Sequence, residues 1–140
     1  MTGYLGTPDY VHGTPPRVGV LLVNLGTPDE PTTAAVRRYL AEFLWDPRVI
    51  EMPRPLWWLV LHGIILRTRP AKSAHAYQKV WKPAGSPLLI ESRALAAALA
   101  GRLRERCGDR VRVELAMTYG SPSIPAALER RDTRHKAIAA

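Results

Sequence analysis

The feature that most constrains this chain is an uncharged apolar run, residues 18–23, that leads directly into a polar turn rich in glycine and proline, residues 24–31. Mostly branched or aliphatic residues without alternation are typical of a strand covered on both faces, as in a parallel sheet. Gly26 and Pro28 end the strand, and a helical pattern begins at Thr32 or Thr33. Because ligands of parallel α/β sheets usually bind at the carboxyl ends of strands, this turn is either a plain β–α connection or a ligand loop.

The second half of the chain repeats this arrangement. An alanine- and leucine-rich helix is predicted over residues 88–106, ended by Gly108, and alternating apolar residues predict a second strand over 111–117. The second strand runs into another polar turn, residues 118–123, where Ser123 would cap a further helix through Leu128. Two strands separated by helices predict a three-layer α/β fold with a partial parallel sheet whose loops gather at one end.

The stretch between the first helix and the turn at residues 82–87 is the least regular. The first helix is expected to end at Asp46, before Pro47, and residues 49–52 have the composition of a short strand. A polar helix is predicted over residues 71–81.

Residues 56–66, called here the lip segment, are apolar nearly throughout, with Arg54 before them and Arg67 and Arg69 after them. A run of this length is too short to cross a hydrocarbon core, which needs about 20 residues in a helix. Three interpretations stay open: buried core, the wall of a ligand pocket, or a surface resting in a membrane interface, where tryptophan and arginine are common.

The overall composition narrows the class of protein. The hydrophobic fraction of 46% and the charged fraction of 23% indicate a folded chain rather than a disordered one. The single cysteine, Cys107, excludes an internal disulfide, so we expect a reducing, cytoplasmic compartment; no signal peptide is recognisable. The net charge of +8 comes from arginines spread over helical segments without a basic recognition helix, so no nucleic-acid partner is predicted.

The residues contain no complete catalytic constellation. Neither strand is followed by a phosphate-binding glycine loop, and the four histidines (His12, His62, His75 and His135) are isolated, so no metal site is predicted. The loops do offer side chains that suit a flat apolar ligand with anionic edges, beside the tryptophan-rich lip segment. These candidate binding residues are Asn24, Leu25, Ser86, Thr118 and Tyr119.

The order of the short motifs resembles the opening part of bacterial ferrochelatases. The resemblance extends from about residue 17 to about residue 128 and keeps the family's order and spacing. The motifs that carry it are residues 20–29, 38–40, 43–44, 46–49, 56–58, 63–66, 85–88 and 117–123.

The resemblance implies an incomplete chelatase-like (Rossmann-like) sheet and the family reaction, insertion of ferrous iron into protoporphyrin or coproporphyrin during haem synthesis. Iron and porphyrin are then substrates, and no cofactor is implied. Leu25, Ser86 and Tyr119 match porphyrin-cleft positions, whereas Thr118 stands where many relatives carry arginine. Peripheral contact with a membrane is implied for the cleft lip, whose candidate residues are Leu56, Trp57, Trp58, Ile64 and Ile65.

Three expectations follow from this comparison. Residues 1–16 would form a disordered leader, residues 17–128 the amino-terminal portion of a ferrochelatase domain, and residues 129–140 an irregular tail that does not match the family. The family's metal-handling histidine and glutamate lie beyond the matching residues, so we expect no catalytic residue and no activity from this chain alone. The alternative is a non-catalytic porphyrin-binding or inert remnant. Either way, an open sheet edge would favour association with another chain.

Overall fold

A computed structural model describes residues 17–129 of the chain; the predicted leader, and the predicted tail beyond Glu129, lie outside the described residues. The order of elements is that of an α/β chain, with helices between two strands. The elements are β1 (Val18–Thr27), α1 (Thr33–Trp45), α2 (Arg54–Val60), α3 (Leu66–Val80), α4 (Pro87–Cys107), β2 (Val111–Gly120) and α5 (124–129).

The two strands pair in parallel, as predicted, and form an open two-stranded sheet within the described residues. The register places Val18 opposite Val111 and Thr27 opposite Gly120. Helices α1 and α4 both contact β2. The prediction that β1 is covered on both faces is wrong for this part of the chain, because Val23 and Leu25 are 45% and 50% exposed. The apolar run has the composition of a central strand, but the described residues supply no further strand or helix to cover these two side chains.

Two glycines let the strands come unusually close at their carboxyl ends. Gly26 has φ +114°, and a Cβ there would lie 1.9 Å from the carbonyl oxygen of Tyr119. Gly120 has φ +78°, and its Cβ would lie 2.8 Å from the carbonyl oxygen of Thr27. Because only glycine tolerates both the positive φ and the close approach, these two positions fix where both strands end.

Helix α1 has the boundaries that the sequence predicts. The Thr32 hydroxyl accepts a hydrogen bond from the Ala35 N–H at 3.2 Å, which caps the first turn. Asp46 ends the helix. Its buried side includes Val36 and Tyr39, whose helical spacing of three residues puts them on one face.

Residues 54–80 form one helical run rather than an apolar segment followed by a separate polar helix. A π-helical turn, Leu61–Ile65, joins α2 to α3, so α3 begins before the predicted Ala71. Pro70 lies inside α3 and has no N–H to donate to the carbonyl oxygen of Leu66 four residues earlier. The Arg37 Nε–H of α1 donates to that oxygen instead, at 3.0 Å. This bond from a neighbouring helix lets the run continue through a proline.

The predicted short strand at residues 49–52 is wrong. Residues 47–49 form a turn, in which the N–H groups of Val49 and Ile50 both donate to the carbonyl oxygen of Asp46. Ile50 then packs against the core cluster instead of entering the sheet. Since the backbone groups are satisfied locally, nothing draws this segment into a strand.

Helix α4 confirms its predicted place and has an unusual surface. It begins one residue earlier than expected, at Pro87, and Gly108 with φ +64° ends it. Its only residue below one-tenth exposure is Ser92, whereas Leu95 is 58% exposed. No buried stripe therefore forms, in the described part of the chain, from the leucines spaced four residues apart along α4, which are Leu95, Leu99 and Leu103.

Candidate ligand site at the carboxyl ends of the strands

Two cavities, of about 630 and 230 Å³, lie where β1 and β2 end. Both are lined by Thr27, the last residue of β1, by Pro28 and Asp29, which follow it, and by Ser121 after β2. These four residues are called here the strand rim. The larger cavity extends along α4 and the smaller one along α1. The two turns that the sequence singled out therefore meet at one end of the sheet, as parallel strands require.

The larger cavity has mixed charge. Asp29 and Glu114 are acidic, and Arg93 of α4 is basic. The Thr27 side chain is 4% exposed, and its hydroxyl has no hydrogen-bond partner among the described residues. A buried hydroxyl without a partner is uncommon, so Thr27 is a polar group beside the cavity that the described residues leave unsatisfied.

Asn24 and Thr118 occupy neighbouring strands and are tied to the scaffold. The Asn24 Nδ2–H donates to the Ser92 hydroxyl of α4 at 3.0 Å, and its Oδ1 accepts from the Leu25 N–H at 2.8 Å. The Thr118 hydroxyl donates to the Asn24 carbonyl oxygen at 3.3 Å. Leu25, the residue after Asn24 in β1, is half exposed and presents apolar surface.

Ser86 and Tyr119 are buried, and both have structural partners. The Ser86 hydroxyl accepts from the Leu89 N–H at 3.2 Å and caps α4. Leu89 and Arg93, one and two turns further along, line the larger cavity, so the start of α4 lies at the strand rim. Tyr119 is 6% exposed, and its hydroxyl donates to Asp46 Oδ2 at 2.9 Å. Neither Ser86 nor Tyr119 lines the two cavities, and a ligand contact by either side chain stays a prediction.

Asp46 connects Tyr119 to Arg48, because its carboxylate accepts hydrogen bonds from both residues. The Arg48 guanidinium and the Arg48 N–H donate to its carboxylate, the shortest of these bonds being 2.6 Å, and they hold the pKa of Asp46 well below its usual range. Burial, followed by the hydrogen bond to Asp46, raises the pKa of Tyr119 above its ordinary value. Asp46 is therefore ionised and Tyr119 is protonated at neutral pH.

Tyr39 connects α1 to the end of β1. Its hydroxyl donates to the carbonyl oxygen of Gly26 at 3.1 Å. Burial, with smaller contributions from Tyr77, Tyr119 and Glu42, raises its pKa to about 12. The phenol is consequently a permanent hydrogen-bond donor at neutral pH.

The lip segment divides between core and surface. Trp57, Leu61 and Leu66 are buried and pack with side chains of α1, and the Trp57 Nε1–H donates to the Leu44 carbonyl oxygen at 2.8 Å. Ile65 is half-buried against the same cluster. The remaining large side chains stay outside, at 51 to 62% exposure: Leu56, Trp58, Leu59 and Ile64. The core interpretation thus holds for one side of the helical run, and an apolar surface forms the other.

The described residues have neither a metal cluster nor a spanning helix. Within residues 17–129, no three histidine, cysteine, aspartate or glutamate side chains are grouped as a metal ion would require. In the same range, no helix combines the length and hydropathy needed to cross a membrane. The expectation that a metal-handling base lies elsewhere stays a prediction.

Sequence reasoning missed several residues that shape this site. Thr27, Asp29 and Ser121 lie in the turns that were identified, but only their neighbours were proposed as binding residues. The sequence pattern marks Asp46 only as the end of the first helix and does not single out Glu42. The signal that was available is the spacing of Tyr39, Glu42 and Asp46, which places polar groups on one side of α1.

Comparison with known proteins gives a consistent result. The family model described as ferrochelatase matches residues 17–139. A ferrochelatase of Marinobacter nauticus is 60% identical over 126 residues, which cover 90% of this chain and 34% of the relative. That of Thioalkalivibrio sulfidiphilus is 58% identical, with coverage of 89% and 34%, and that of Shewanella denitrificans is 62% identical, with coverage of 77% and 33%. The chain therefore spans about a third of the length of these curated relatives and corresponds to their amino-terminal part.

Proposed function

Because this chain belongs to the ferrochelatase family, we propose that it supplies one wall of a tetrapyrrole site and serves the family reaction, the insertion of ferrous iron into a porphyrin. The observation that carries the proposal is the family match over residues 17–139. Its support from geometry is the strand rim, where the turns after β1 and β2 meet, and the half-exposed Leu25, which lies in β1 two residues before the rim begins at Thr27. Protoporphyrin and coproporphyrin are the candidate organic substrates, and iron is the metal substrate.

The wall would act by covering an apolar face of the macrocycle. Leu25 would contact the ring, while Asn24 and Thr118 hold the adjoining backbone. Ser86 and Tyr119 would support this surface from below, since their hydroxyls already have partners. One wall buries only part of a flat ligand, so we expect weak binding by this chain.

Insertion of iron also needs a base for the two pyrrole protons, within hydrogen-bond reach of the ring nitrogens. The histidines of the described residues do not suit this role. His62 stacks on Trp58 in the lip segment, with ring centroids 5.0 Å apart, and His75 lies on the exposed side of α3. We therefore expect this chain to bind porphyrin without turning it over.

A titration and an assay test the proposal together. The 140-residue chain is added to protoporphyrin IX while the Soret band is followed, and ferrous iron is then supplied without oxygen. We expect a saturable shift of the Soret band and no metal insertion above the uncatalysed rate. If the Soret band does not shift at the highest protein concentration, the proposal that this chain binds porphyrin is wrong. Metal insertion above the uncatalysed rate would contradict the expected lack of activity.

We also propose that the protein is cytoplasmic and that the exposed side of its lip segment contacts the surface of a membrane. The supporting observation is the apolar surface of Leu56, Trp58, Leu59 and Ile64, with basic Arg67 and Arg69 in the following helix. Apolar and tryptophan side chains beside arginines suit the interface of an anionic bilayer.

A further inference from the structure

Three side chains of α1 and its end reach the carboxyl ends of both strands. The Tyr39 hydroxyl donates to the Gly26 carbonyl oxygen of β1 at 3.1 Å. Glu42 Oε2 accepts from the Gly120 N–H of β2 at 3.0 Å, and Asp46 Oδ2 accepts from the Tyr119 hydroxyl at 2.9 Å. Their spacing, i, i+3 and i+7, puts them on one side of the helix. These three residues are called here the rim stripe.

The two carboxylates of the rim stripe do not stabilise α1, the helix on which the stripe lies. Carboxylates near a helix C-terminus are unfavourable because that end carries partial negative charge. The last turn of α1 has no basic residue to offset Glu42, and only Arg48, beyond the end, balances Asp46. Both carboxylates instead accept hydrogen bonds from β2. Their placement is therefore explained by the strand ends rather than by helix stability.

Aromatic packing also holds α1 against the carboxyl end of β2. The Phe43 ring lies edge-on to the Tyr119 ring, with centroids 5.2 Å apart, and stacks on Tyr39 at 6.0 Å. Phe43 thus contacts both tyrosines, whose hydroxyls bond to Gly26 and to Asp46. The orientation of Tyr119 is therefore set by Phe43, which contacts its ring, and by Asp46, which accepts a hydrogen bond from its hydroxyl.

We propose that Tyr39, Glu42 and Asp46 are positioning residues, which hold the ends of β1 and β2 so that Leu25 and Thr118 keep the geometry needed against a flat tetrapyrrole. The inference rests on the proposed function and deepens it. Leu25 directly precedes the Gly26 carbonyl group that Tyr39 holds, and Thr118 directly precedes Tyr119. Tyr119 itself supports the wall rather than touching the ligand, because it is buried and its hydroxyl is engaged.

The first test needs no ligand. Amide hydrogen exchange of Gly120 is measured in the unsubstituted chain and in the variants Glu42→Ala and Glu42→Gln. The control variant is Glu91→Ala, because Glu91 is an exposed carboxylate of α4. Losing the acceptor should speed exchange of the Gly120 amide roughly tenfold in Glu42→Ala. Glutamine keeps an acceptor oxygen and should restore most of the protection. Equal exchange in Glu42→Ala and Glu91→Ala would overturn the role of Glu42.

The second test uses protoporphyrin IX as the probe. We expect Glu42→Ala and Asp46→Ala to weaken binding roughly five- to tenfold and to alter the Soret circular dichroism of the saturated complex. Glu42→Gln and Asp46→Asn should stay close to the unsubstituted chain. A residue that only stabilises the fold would change the melting temperature but leave the spectrum of the saturated complex unchanged.

The outcomes separate the two proposals. Absence of binding by the unsubstituted chain would overturn the proposed function, and the positioning role with it. Binding with the same affinity and spectrum in the alanine variants as in Glu91→Ala would overturn the positioning role alone. If an alanine variant does not fold, Tyr39→Phe, which removes one hydroxyl, replaces it in the comparison, and an unchanged spectrum would again overturn the inference.

Discussion

Gly26 shows how one residue sets the geometry of the strand rim. A methyl group at this position would meet the Tyr119 carbonyl oxygen at 1.9 Å and would sit on a backbone with φ +114°. We expect Gly26→Ala to lower the free energy of unfolding by about 3 kcal/mol or more, because both strain and a backbone clash oppose it.

The matched control is Gly63→Ala in the π-helical turn, where an added Cβ meets nothing within 4 Å. Alanine favours helix over glycine, so this variant should gain about 0.5–1 kcal/mol. Urea unfolding of both variants provides the measurement. A Gly26→Ala variant as stable as Gly63→Ala would show that the two strands do not approach as closely as described.

Tyr39 gives the chain an alkaline limit of stability. Its pKa is raised from 10.0 to about 12 in the folded state, so the folded state holds this proton more tightly than the unfolded state. The resulting stabilisation is complete below pH 10 and is lost as the pH rises from 10 to 12.

We therefore expect the melting temperature to fall between pH 10 and pH 12, and to fall less steeply in Tyr39→Phe, which has no phenol to ionise. Thermal unfolding followed by circular dichroism across this pH range measures the difference. Parallel curves for the two proteins would contradict the assignment to Tyr39.

The lip segment shows how a helix divides one apolar run into two environments. Trp57 is 5% exposed and Trp58 is 53% exposed, although the residues are adjacent in sequence. The two tryptophans are alike in sequence terms, so only the packing of Trp57 against α1 decides which of them is buried. A test of membrane binding should therefore change the exposed side chains and spare Trp57.

We expect Trp58→Ala combined with Ile64→Ala to weaken binding to anionic phosphatidylserine vesicles, and the binding itself to weaken with salt. Leu95→Ala on α4 is the matched control, since Leu95 is similarly exposed but lies outside the lip segment. Vesicle co-sedimentation measures the effect. If the double variant binds like Leu95→Ala, the exposed side of the lip segment has another role.

Local signals predicted the regular elements, and longer-range contacts decided the rest. Thr32 and Ser86 cap their helices through bonds that span three residues, so the sequence was sufficient to place α1 and α4. The continuous run through Pro70 depends on the bond from Arg37 to the Leu66 carbonyl oxygen, which spans 29 positions, and no local pattern contains that bond. The strand rim follows the same division: its turns were predicted, but the bonds from Glu42 and Asp46 to β2 span more than seventy residues.

The chain as a whole leaves apolar sheet surface uncovered. Val18 and Val23 of β1 are 57% and 45% exposed, in a sheet that has two strands within the described residues. A parallel sheet normally has both faces covered, and an isolated strand pair is marginally stable in water. Surface of this kind lowers its free energy by association, because burying it removes apolar area from water.

We accordingly expect the 140-residue chain to self-associate, with an average mass in sedimentation velocity that rises with protein concentration. Val18→Lys combined with Val23→Lys, which places one charge on each face of the sheet, should shift the chain towards the monomer, because burying a charged side chain at an interface is unfavourable. Leu88→Lys combined with Leu95→Lys is the control for added charge alone, since both leucines are exposed but lie on α4. Equal shifts in both variants would mean that charge rather than the β1 surface governs association. A compact monomer that melts cooperatively at every concentration would show that the described residues form a self-sufficient domain.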